Sequence, residues 1–509
     1  MYKLLLCLRY LRTRYIALAS IVSVMLGVAT MIVVNSVMAG FAREMQDRIH
    51  GILSDLVLEV GPWEGAPDAE YHMAEIRRVA GDAIAGMTPT VFVPAMLTYQ
   101  WRGQPRSRQV TLIGIDEKTQ SQVSDFGKYL QHPRNREKMS FVLREGGYDT
   151  RDHQAGPEAP ERPEMKTAGW ERRRIVAQNE AFQQSLDGRK AIRPEATQRP
   201  DAENPFGQTA PVETLAIDKA TQQRTGLVMG IALAGVRTPD GVDHFLILPG
   251  DDVKLTFPTT GIDGTSVAFA SDHFTVVDLY ECKMSEYDAN FVFVPIEKLQ
   301  DARGMIDPTT KTANFNSIQI KLKPGVNAEE VRDKLQAAFP VHTYAVQTWR
   351  DKQGPLLAAV HMETAILNIL LFLIIAVSGF GILAIFFMIV VEKTRDIGIL
   401  KSLGASGRGI MGIFLGYGLS LGLVGSGIGL AAGLLLVRNI NGIADLLGSL
   451  SGRPVFDPSI YYFYRIPTET DPWTVAWIVL GAVAIAVLAS VLPALRAAML
   501  HPVEALRYE

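Results

Sequence analysis

Apolar positions along the chain are concentrated in four stretches that contain no charged side chain over 20 or more residues, namely 15–42, 364–391, 409–437 and 473–492. A bilayer core takes about 20 apolar helical residues to cross. The pattern therefore predicts four transmembrane helices.

A different pattern fills residues 43–363, between the first two apolar stretches. Strand-like runs such as "DLVLEV" and "TVFVPAMLTYQW" alternate with helical patterns such as "MAEIRRVAGDAIAG". Near the end, "NSIQIKLKPGVNAEEVRDKLQAAFPVHTYAV" predicts a strand, a turn, a helix with Val331, Leu335 and Ala338 on its apolar face, and a strand. The fold class predicted is a membrane α-helical protein with a large extracytoplasmic α+β domain inserted between helices 1 and 2.

Residues 128–205 interrupt this domain. They are rich in charged residues and broken by several prolines, which is typical of an exposed, partly disordered insertion. One helix is predicted around "GWERRRIVAQNEAFQQSL". Its "ERRR" run is interpreted as a solvated face rather than a site for an acidic partner or lipid headgroups.

Basic residues give the orientation of the spans. Lys3, Arg9, Arg12 and Arg14 precede the first span without an acidic residue among them, and the short segment 392–408 is also basic. Cytoplasmic flanks carry the excess of lysine and arginine. We therefore expect a multi-pass inner-membrane protein with both termini inside, arranged as follows: cytoplasmic segments 1–14, 392–408 and 493–509, and extracytoplasmic segments 43–363 and 438–472.

Composition and first-span features narrow the class. The chain has 509 residues, 48% of them hydrophobic, and a net charge of -3, which fits a mixed membrane and soluble protein and does not favour nucleic acid as a partner. The first apolar stretch is also compatible with a signal peptide cleaved after Ala39, but its length favours a permanent span. Cys7 and Cys282 are expected on opposite faces of the membrane, so they cannot pair within the chain.

Motifs for catalysis are missing from the sequence. There is no G-x-x-x-x-G-K-[ST] phosphate loop, and no paired histidines or cysteines have metal-ligand spacing. Asp251 and Asp252 are better explained by a turn than by acid-base chemistry. The predicted spans contain no ionisable residue, which argues against a hydrophilic path, and the many glycines of the third span predict close helix packing within the subunit or in a dimer.

Several segments resemble a known family. "EKTRDIGILKSLGAS", "FTVVDLYECKMSEYDANFVFVPIEKLQ", "FDPSIYYFYRIPTE" and the terminal "LPALRAAMLHPVEALRYE" are similar to segments of the MacB/FtsX class of ATP-binding-cassette (ABC) permeases, most of all the lipoprotein-releasing permeases of LolC/LolE type. The resemblance runs along the whole chain except the charged insertion.

The resemblance implies a permease that extracts lipoproteins from the outer leaflet of the inner membrane and hands them to a periplasmic lipoprotein carrier. It implies a dimer with a second permease subunit, identical or related, and a separate pair of ABC ATPase subunits that bind ATP and magnesium. This chain itself is then not an enzyme and needs no cofactor or metal. Two alternatives keep the fold: a MacB-like exporter of peptides or amphiphiles, and an FtsX-like signalling protein that activates a cell-wall hydrolase.

Candidate site residues follow from the resemblance and the predicted spans. ATPase coupling is expected in segment 392–408, at Glu392, Lys393, Asp396, Ile397, Leu400, Lys401 and Gly404. Lipid and substrate contact is expected where the first two spans leave the membrane, at Val37, Phe41, Met45, Val360, Met362 and Ile366. Carrier contact is assigned to Thr259, Thr260, Ile262 and Asp263, although this stretch does not show the pattern of the hairpin that relatives use.

Overall fold

The computed structural model describes residues 15–52, 54–62, 64–101, 103–154, 159–190, 218–238, 243–260, 267–451 and 465–501. These residues divide into two compact units. A helical unit contains 15–46, 354–451 and 465–501, and a β-rich unit contains the described residues from 47 to 353.

Helices occur in both units. In chain order they are α1 (Tyr15–Ile52), α2 (Ala69–Ala80), α3 (Pro133–Glu137), α4 (Trp170–Lys190), α5 (Ile231–Ala234), α6 (Ser285–Asp288), α7 (Ile296–Ala302), α8 (Ala328–Ala338), α9 (Trp349–Lys352), α10 (Gly354–Glu392), α11 (Thr394–Ser402), α12 (Gly407–Arg438), α13 (Ile440–Ser451) and α14 (Pro472–Met499).

Among the described residues, four helices are long and apolar enough to cross a membrane: α1, α10, α12 and α14. The four apolar stretches of the sequence lie within them. Helix α13, which the sequence did not predict, follows α12 at once and exposes Leu446, Leu447 and Leu450.

Glycines let the helices of the helical unit approach closely. On α12, a side chain built at Gly429 would meet the backbone of Met25 on α1 at 2.7 Å, and one at Gly418 would meet Ser490 on α14 at 2.5 Å. Small residues are what allow such contacts between membrane helices. These two faces of α12 thus serve packing within the subunit, one of the two roles predicted for its glycines.

The strands all belong to the β-rich unit within the described chain. They are β1 (Leu56–Val60), β2 (Ala66–Pro67), β3 (Ile84–Trp101), β4 (Gln104–Ile115), β5 (Thr225–Gly230), β6 (Gly235–Arg237), β7 (Asp243–Phe245), β8 (Asp252–Thr260), β9 (Val267–Tyr280), β10 (Phe291–Pro295), β11 (Asn314–Phe315), β12 (Ser317–Leu322) and β13 (Tyr344–Thr348).

Nine of the strands form one sheet in the order β13-β1-β12-β3-β4-β10-β5-β9-β8. Because β3 also pairs with β8, the six strands from β3 to β8 in this order close on themselves around an apolar core that includes Leu97, Leu227 and Leu255. The open part of the sheet packs against α2 and α8 through Ile76 and Leu335. The region is thus a β-rich domain.

Two predictions for this domain are confirmed. The run "TVFVPAMLTYQW" lies within strand β3, which forms a hairpin with β4, and β12, α8 and β13 form the predicted strand, helix and strand. On α8, Val331 and Leu335 are buried as predicted, whereas Ala338 is exposed because the last turn of the helix faces solvent.

The prediction that residues 128–205 form an exposed insertion is wrong for its described part. Phe141, Leu143, Tyr148 and Met165 are each at most 6% exposed, and several join the domain core. The predicted helix is present as α4. Apolar side chains spaced along a charged segment are enough to anchor it. Residues 191–205 lie outside the described chain.

Buried charges also anchor this segment. Arg162, 2% exposed, donates from Nε to Asp243 at 2.8 Å and from Nη2 to Glu281 at 2.7 Å. Arg237 donates to the other oxygen of Asp243, and Lys283 to the other oxygen of Glu281, each at 2.7 Å. Burial opposes ionisation of Asp243, but the hydrogen bond from Arg237 and the charge of Arg162 hold its pKa below the usual range.

Candidate functional site

The segment predicted to couple to an ATPase forms a short helix, α11, between α10 and α12. Thr394 donates its hydroxyl to the carbonyl of Val390, and Lys393 pairs with Asp396 at 2.7 Å, so the first turn is fixed. The helix ends where Gly404 adopts a φ of 97°, which favours glycine. Ser406 then caps α12 by accepting a hydrogen bond from the amide of Gly409.

One side of α11 is buried in the helical unit. Ile397 is 4% exposed and belongs to an apolar cluster with Val390, Ile410 and Ala497. The sequence placed Ile397 on a contact face, but its side chain is enclosed within the subunit. Its role is therefore to hold α11 against the neighbouring helices.

Lys401 fastens α11 to the end of the last long helix. Its Nζ donates to the carbonyls of Ala498 and Leu500, each at 2.6 Å. These carbonyls belong to the C-terminal end of α14, where backbone oxygens lack helical partners and a cation is favoured. The lysine charge is thus directed at its own chain rather than outward.

The outward side of α11 is apolar. Ile399 is 43% exposed, Leu400 39% and Leu403 80%. Of these three, the sequence predicted only Leu400; Gly404 is exposed beside them, and Glu392, Lys393 and Asp396 are exposed or half-buried at the start. The sequence could have predicted that Leu403 lies on the same face as Ile399, because it follows Ile399 by one helical turn.

The predicted lipid residues lie near a cavity of about 330 Å³ between α1, α10 and α14. Its lining includes Ile32, Met38, Val360 and Ile478. The remaining lining residues are Asn35, Ser36, Ala39, Ala42, Thr364, Asn368, Glu469, Asp471, Thr474 and Val475. Its wall is mostly apolar, and Glu469, Asp471 and Thr474, at the start of α14, form a polar end.

Only Val360 of the six predicted lipid residues lines this cavity. Val37, Phe41 and Met45 are half-buried on α1, while Met362 and Ile366 are exposed on α10, at 65% and 50%. The predicted residues lie on two of the helices that line the cavity, but the sequence did not indicate the inward-facing residues or the contribution of α14. Helical spacing alone does not say which side faces a third helix.

The polar end of this cavity is held by ion pairs and caps. Arg43 pairs with Glu469, whose amide donates to the carbonyl of Ser36 at 2.8 Å. Asp471 caps α14 by accepting from the amide and hydroxyl of Thr474, and these bonds hold the pKa of its carboxyl below the usual range.

Two of the residues predicted for carrier contact, Thr259 and Thr260, lie at the end of β8 in the β-rich unit. Strands β8 and β9 pair up to Thr260 and Val267, and Thr259 donates its hydroxyl to the carbonyl of Arg303 at 2.8 Å. Phe269, near this end, is 75% exposed. Ile262 and Asp263 lie outside the described residues. The hairpin itself was not evident from the sequence.

Within the described ranges, no three His, Cys, Asp or Glu side chains lie close enough together to hold a metal ion. Cys282 is buried, and its Sγ donates to the carbonyl of Met284 at 3.8 Å.

Comparisons with known proteins agree with this architecture. Residues 368–502 match the FtsX-like permease C-terminal family. LolC of the lipoprotein-releasing system from Xylella fastidiosa is 31% identical over 260 residues, 51% of this chain and 61% of that relative. LolC from Neisseria meningitidis is 30% identical over the same coverage. LolE from Haemophilus influenzae is 22% identical over 96% of this chain and 94% of its own length.

The four apolar helices and the match of residues 368–502 define the class, a multi-pass membrane protein with an FtsX-like permease domain in those residues. Within that class, the chain is similar to the LolC and LolE transmembrane proteins of lipoprotein-releasing systems. The alignment spans only 61% of the LolC relatives' length.

Proposed function

We propose that this chain is the permease subunit of an ABC-type lipoprotein-releasing complex. It extracts lipoproteins from the outer leaflet of the inner membrane and passes them to a periplasmic carrier. In this proposal α1, α10, α12 and α14 are the four spans, the β-rich unit is extracytoplasmic between the first two, and both chain ends are cytoplasmic. The charge of the flanking segments supports this orientation.

One observation supports the cargo most directly, the apolar cavity at the outer ends of α1, α10 and α14. Moving an acyl chain into water costs about 0.8 kcal/mol per CH₂. A release mechanism therefore needs an apolar surface that accepts the chains before a carrier does. Met38, Val360 and Ile478 offer such a surface, and the polar end beside Glu469 and Asp471 suits the headgroup side of the cargo.

The energy source in this proposal is a separate pair of ABC ATPase subunits, which bind ATP and magnesium. The exposed apolar face of α11, formed by Ile399, Leu400 and Leu403, is the contact surface on this chain. Lys401 then transmits motion, because it joins that surface to the end of α14, whose first turn lines the lipid cavity. A packed, bistable helix arrangement is what such a stroke requires.

A second permease subunit completes the complex. The α12 faces that carry Gly418 and Gly429 are used inside the subunit, so dimer contacts fall on other surfaces of the helical unit. The hairpin of β8 and β9, with Thr259, Thr260 and exposed Phe269, is the proposed contact for the periplasmic carrier.

Site-specific photo-crosslinking in cells tests the cargo. A photoreactive residue at Met38 or Val360 faces the cavity, while one at Leu26, 61% exposed elsewhere on α1, is the matched control. We expect acylated proteins to be captured at the first two positions and far less at the third. Capture of a cell-wall hydrolase, or of peptides without acyl chains, would favour signalling or MacB-like export instead and refute the proposal.

A further inference from the structure

A second cavity, of about 500 Å³, lies in the β-rich unit and is lined mostly by charged and polar groups. Helix α4 forms one wall and the residues before β5 a second, while the end of β3, the segment leading into β8 with the start of that strand, and the middle of β9 form the others. Its volume falls in the range of about 300 to 1,000 Å³ common for small-molecule sites.

Positive charge exceeds negative charge on the cavity wall. Five Lys or Arg side chains line it against three carboxylates, those of Glu180, Asp251 and Asp252. Each carboxylate already has a basic partner: Lys219 lies 2.6 Å from Glu180, Arg172 2.9 Å from Asp251 and Arg173 2.7 Å from Asp252. Two cations remain in excess, those of Arg224 and Lys254.

The carboxylates of the cavity wall neutralise these two excess cations only weakly. The Nε of Arg224 lies 4.0 Å from the carboxylate of Asp252, which Arg173 already occupies. Lys254 is exposed at the cavity, beside His273. The pKa of His273 is lowered by burial and then by the charges of Arg224 and Lys254, a further sign that the potential here is positive.

A buried arginine at the cavity has spare donor capacity. Arg173 is 1% exposed, and its Nε and Nη1 donate to Gln222, Gly250 and Asp252. Its Nη2 has no hydrogen-bond partner among the described residues. Leaving such a donor without a partner costs free energy, and a planar guanidinium is well suited to carboxylates and phosphates.

We propose that this cavity binds a small anionic solute through a carboxylate or phosphate group, held by Arg173, Arg224 and Lys254. The ligand joins α4 of the charged insertion to the strand ends of the barrel, so binding stabilises the β-rich unit. This site is distinct from the cavity proposed for lipid, since all its lining residues lie in the β-rich unit.

Isothermal titration of the full chain in detergent at low ionic strength tests the proposal, with inorganic phosphate and succinate as separate probes. We expect saturable binding of at least one probe, and the better probe identifies the anion class. Lys254→Gln and Arg224→Gln should each weaken binding about three- to tenfold, the range for a partly exposed charged contact. Lys334→Gln, an exposed lysine of α8, is the control and should bind normally.

Two results would overturn the site: no saturable binding of either probe, or binding that both cavity variants leave unchanged. Because Lys254 is exposed, its variant should fold, and thermal unfolding without the probe checks this. Photo-capture of acylated proteins at Met38 should be the same in these variants. Loss of anion binding is therefore separable from failure of lipoprotein release.

Discussion

Replacing Arg162 by methionine tests whether buried charges hold the insertion segment in the β-rich unit. The guanidinium is 2% exposed and bonded to Asp243 and Glu281. Methionine keeps the apolar stem but leaves both carboxylates with one fewer partner. Removing one member of a buried ion pair typically costs about 3 to 5 kcal/mol.

The lower end of that range applies here, because Arg237 and Lys283 still neutralise the two carboxylates. A loss of about 3 kcal/mol lowers the unfolding temperature by about 6 to 12 °C in a domain of this size. Thermal unfolding of the full chain in detergent measures this change. Hydrogen exchange should also rise in residues 159–182, which the buried arginine anchors.

Arg174→Met is the matched control for this experiment. Arg174 pairs with Glu145 at 3.0 Å, but the two side chains are 47% and 74% exposed. An exposed pair contributes about 0 to 1 kcal/mol, so the control should unfold within a few degrees of the parent. Equal unfolding temperatures for the Arg162 and Arg174 variants would refute the claim that this buried network anchors the insertion.

Three further predictions follow from single side chains. Lys401→Met removes both bonds to the end of α14, so ATP hydrolysis by the assembled complex should continue while release per ATP falls severalfold. Gly429→Leu should destabilise the helical unit by about 1 to 3 kcal/mol through overpacking, whereas Gly427→Leu, with nothing within 4 Å, should not. Burial raises the pKa of Asp288 to about 7. The free energy of unfolding of the parent protein, relative to that of the Asp288→Asn variant, should therefore fall as pH rises from about 4 to 7.

Each of these predictions has a contrary outcome. Arg395→Met, which changes an exposed charge of α11, should keep normal coupling, and equal defects in this variant and in Lys401→Met would contradict the role of Lys401. Equal stability of the two leucine variants would contradict the packing assigned to α12. Between pH 4 and 7 the folded state keeps the proton of Asp288, whereas the unfolded state releases it. If the free energy of unfolding of the parent rose with pH relative to that of the Asp288→Asn variant, the raised pKa would be contradicted.

Much of the architecture could be predicted from the sequence, because apolar runs and alternation are local signals. The four long helices and the β12, α8 and β13 unit were predicted in this way. The buried charges were not, because their burial depends on distant partners: Arg162 bonds residues 81 and 119 positions away. A charged segment therefore resembled solvent-exposed chain although two of its arginines, Arg162 and Arg173, are among the most buried residues.

The candidate sites were also hard to predict, because they too depend on residues that are distant in the sequence. In segment 392–408, the sequence did not show which side chains turn outward and which pack within the subunit, because that depends on α14. Ile397 and Lys401 turn inward for that reason, and Leu403 turns outward. At the lipid cavity, α14 contributes Ile478 from more than a hundred residues beyond Val360.

ATP-dependent transfer of a lipoprotein from vesicles to a soluble carrier is the most direct test of whether this chain is the permease of a lipoprotein-releasing complex. Vesicles would contain this chain, its partner ATPase and a fluorescent acylated protein, with and without the Lys401→Met change. With the parent chain, we expect ATP to drive transfer of the acylated protein to the carrier. With the Lys401→Met variant, we expect severalfold less transfer. ATP hydrolysis with no transfer by the parent chain would contradict this function.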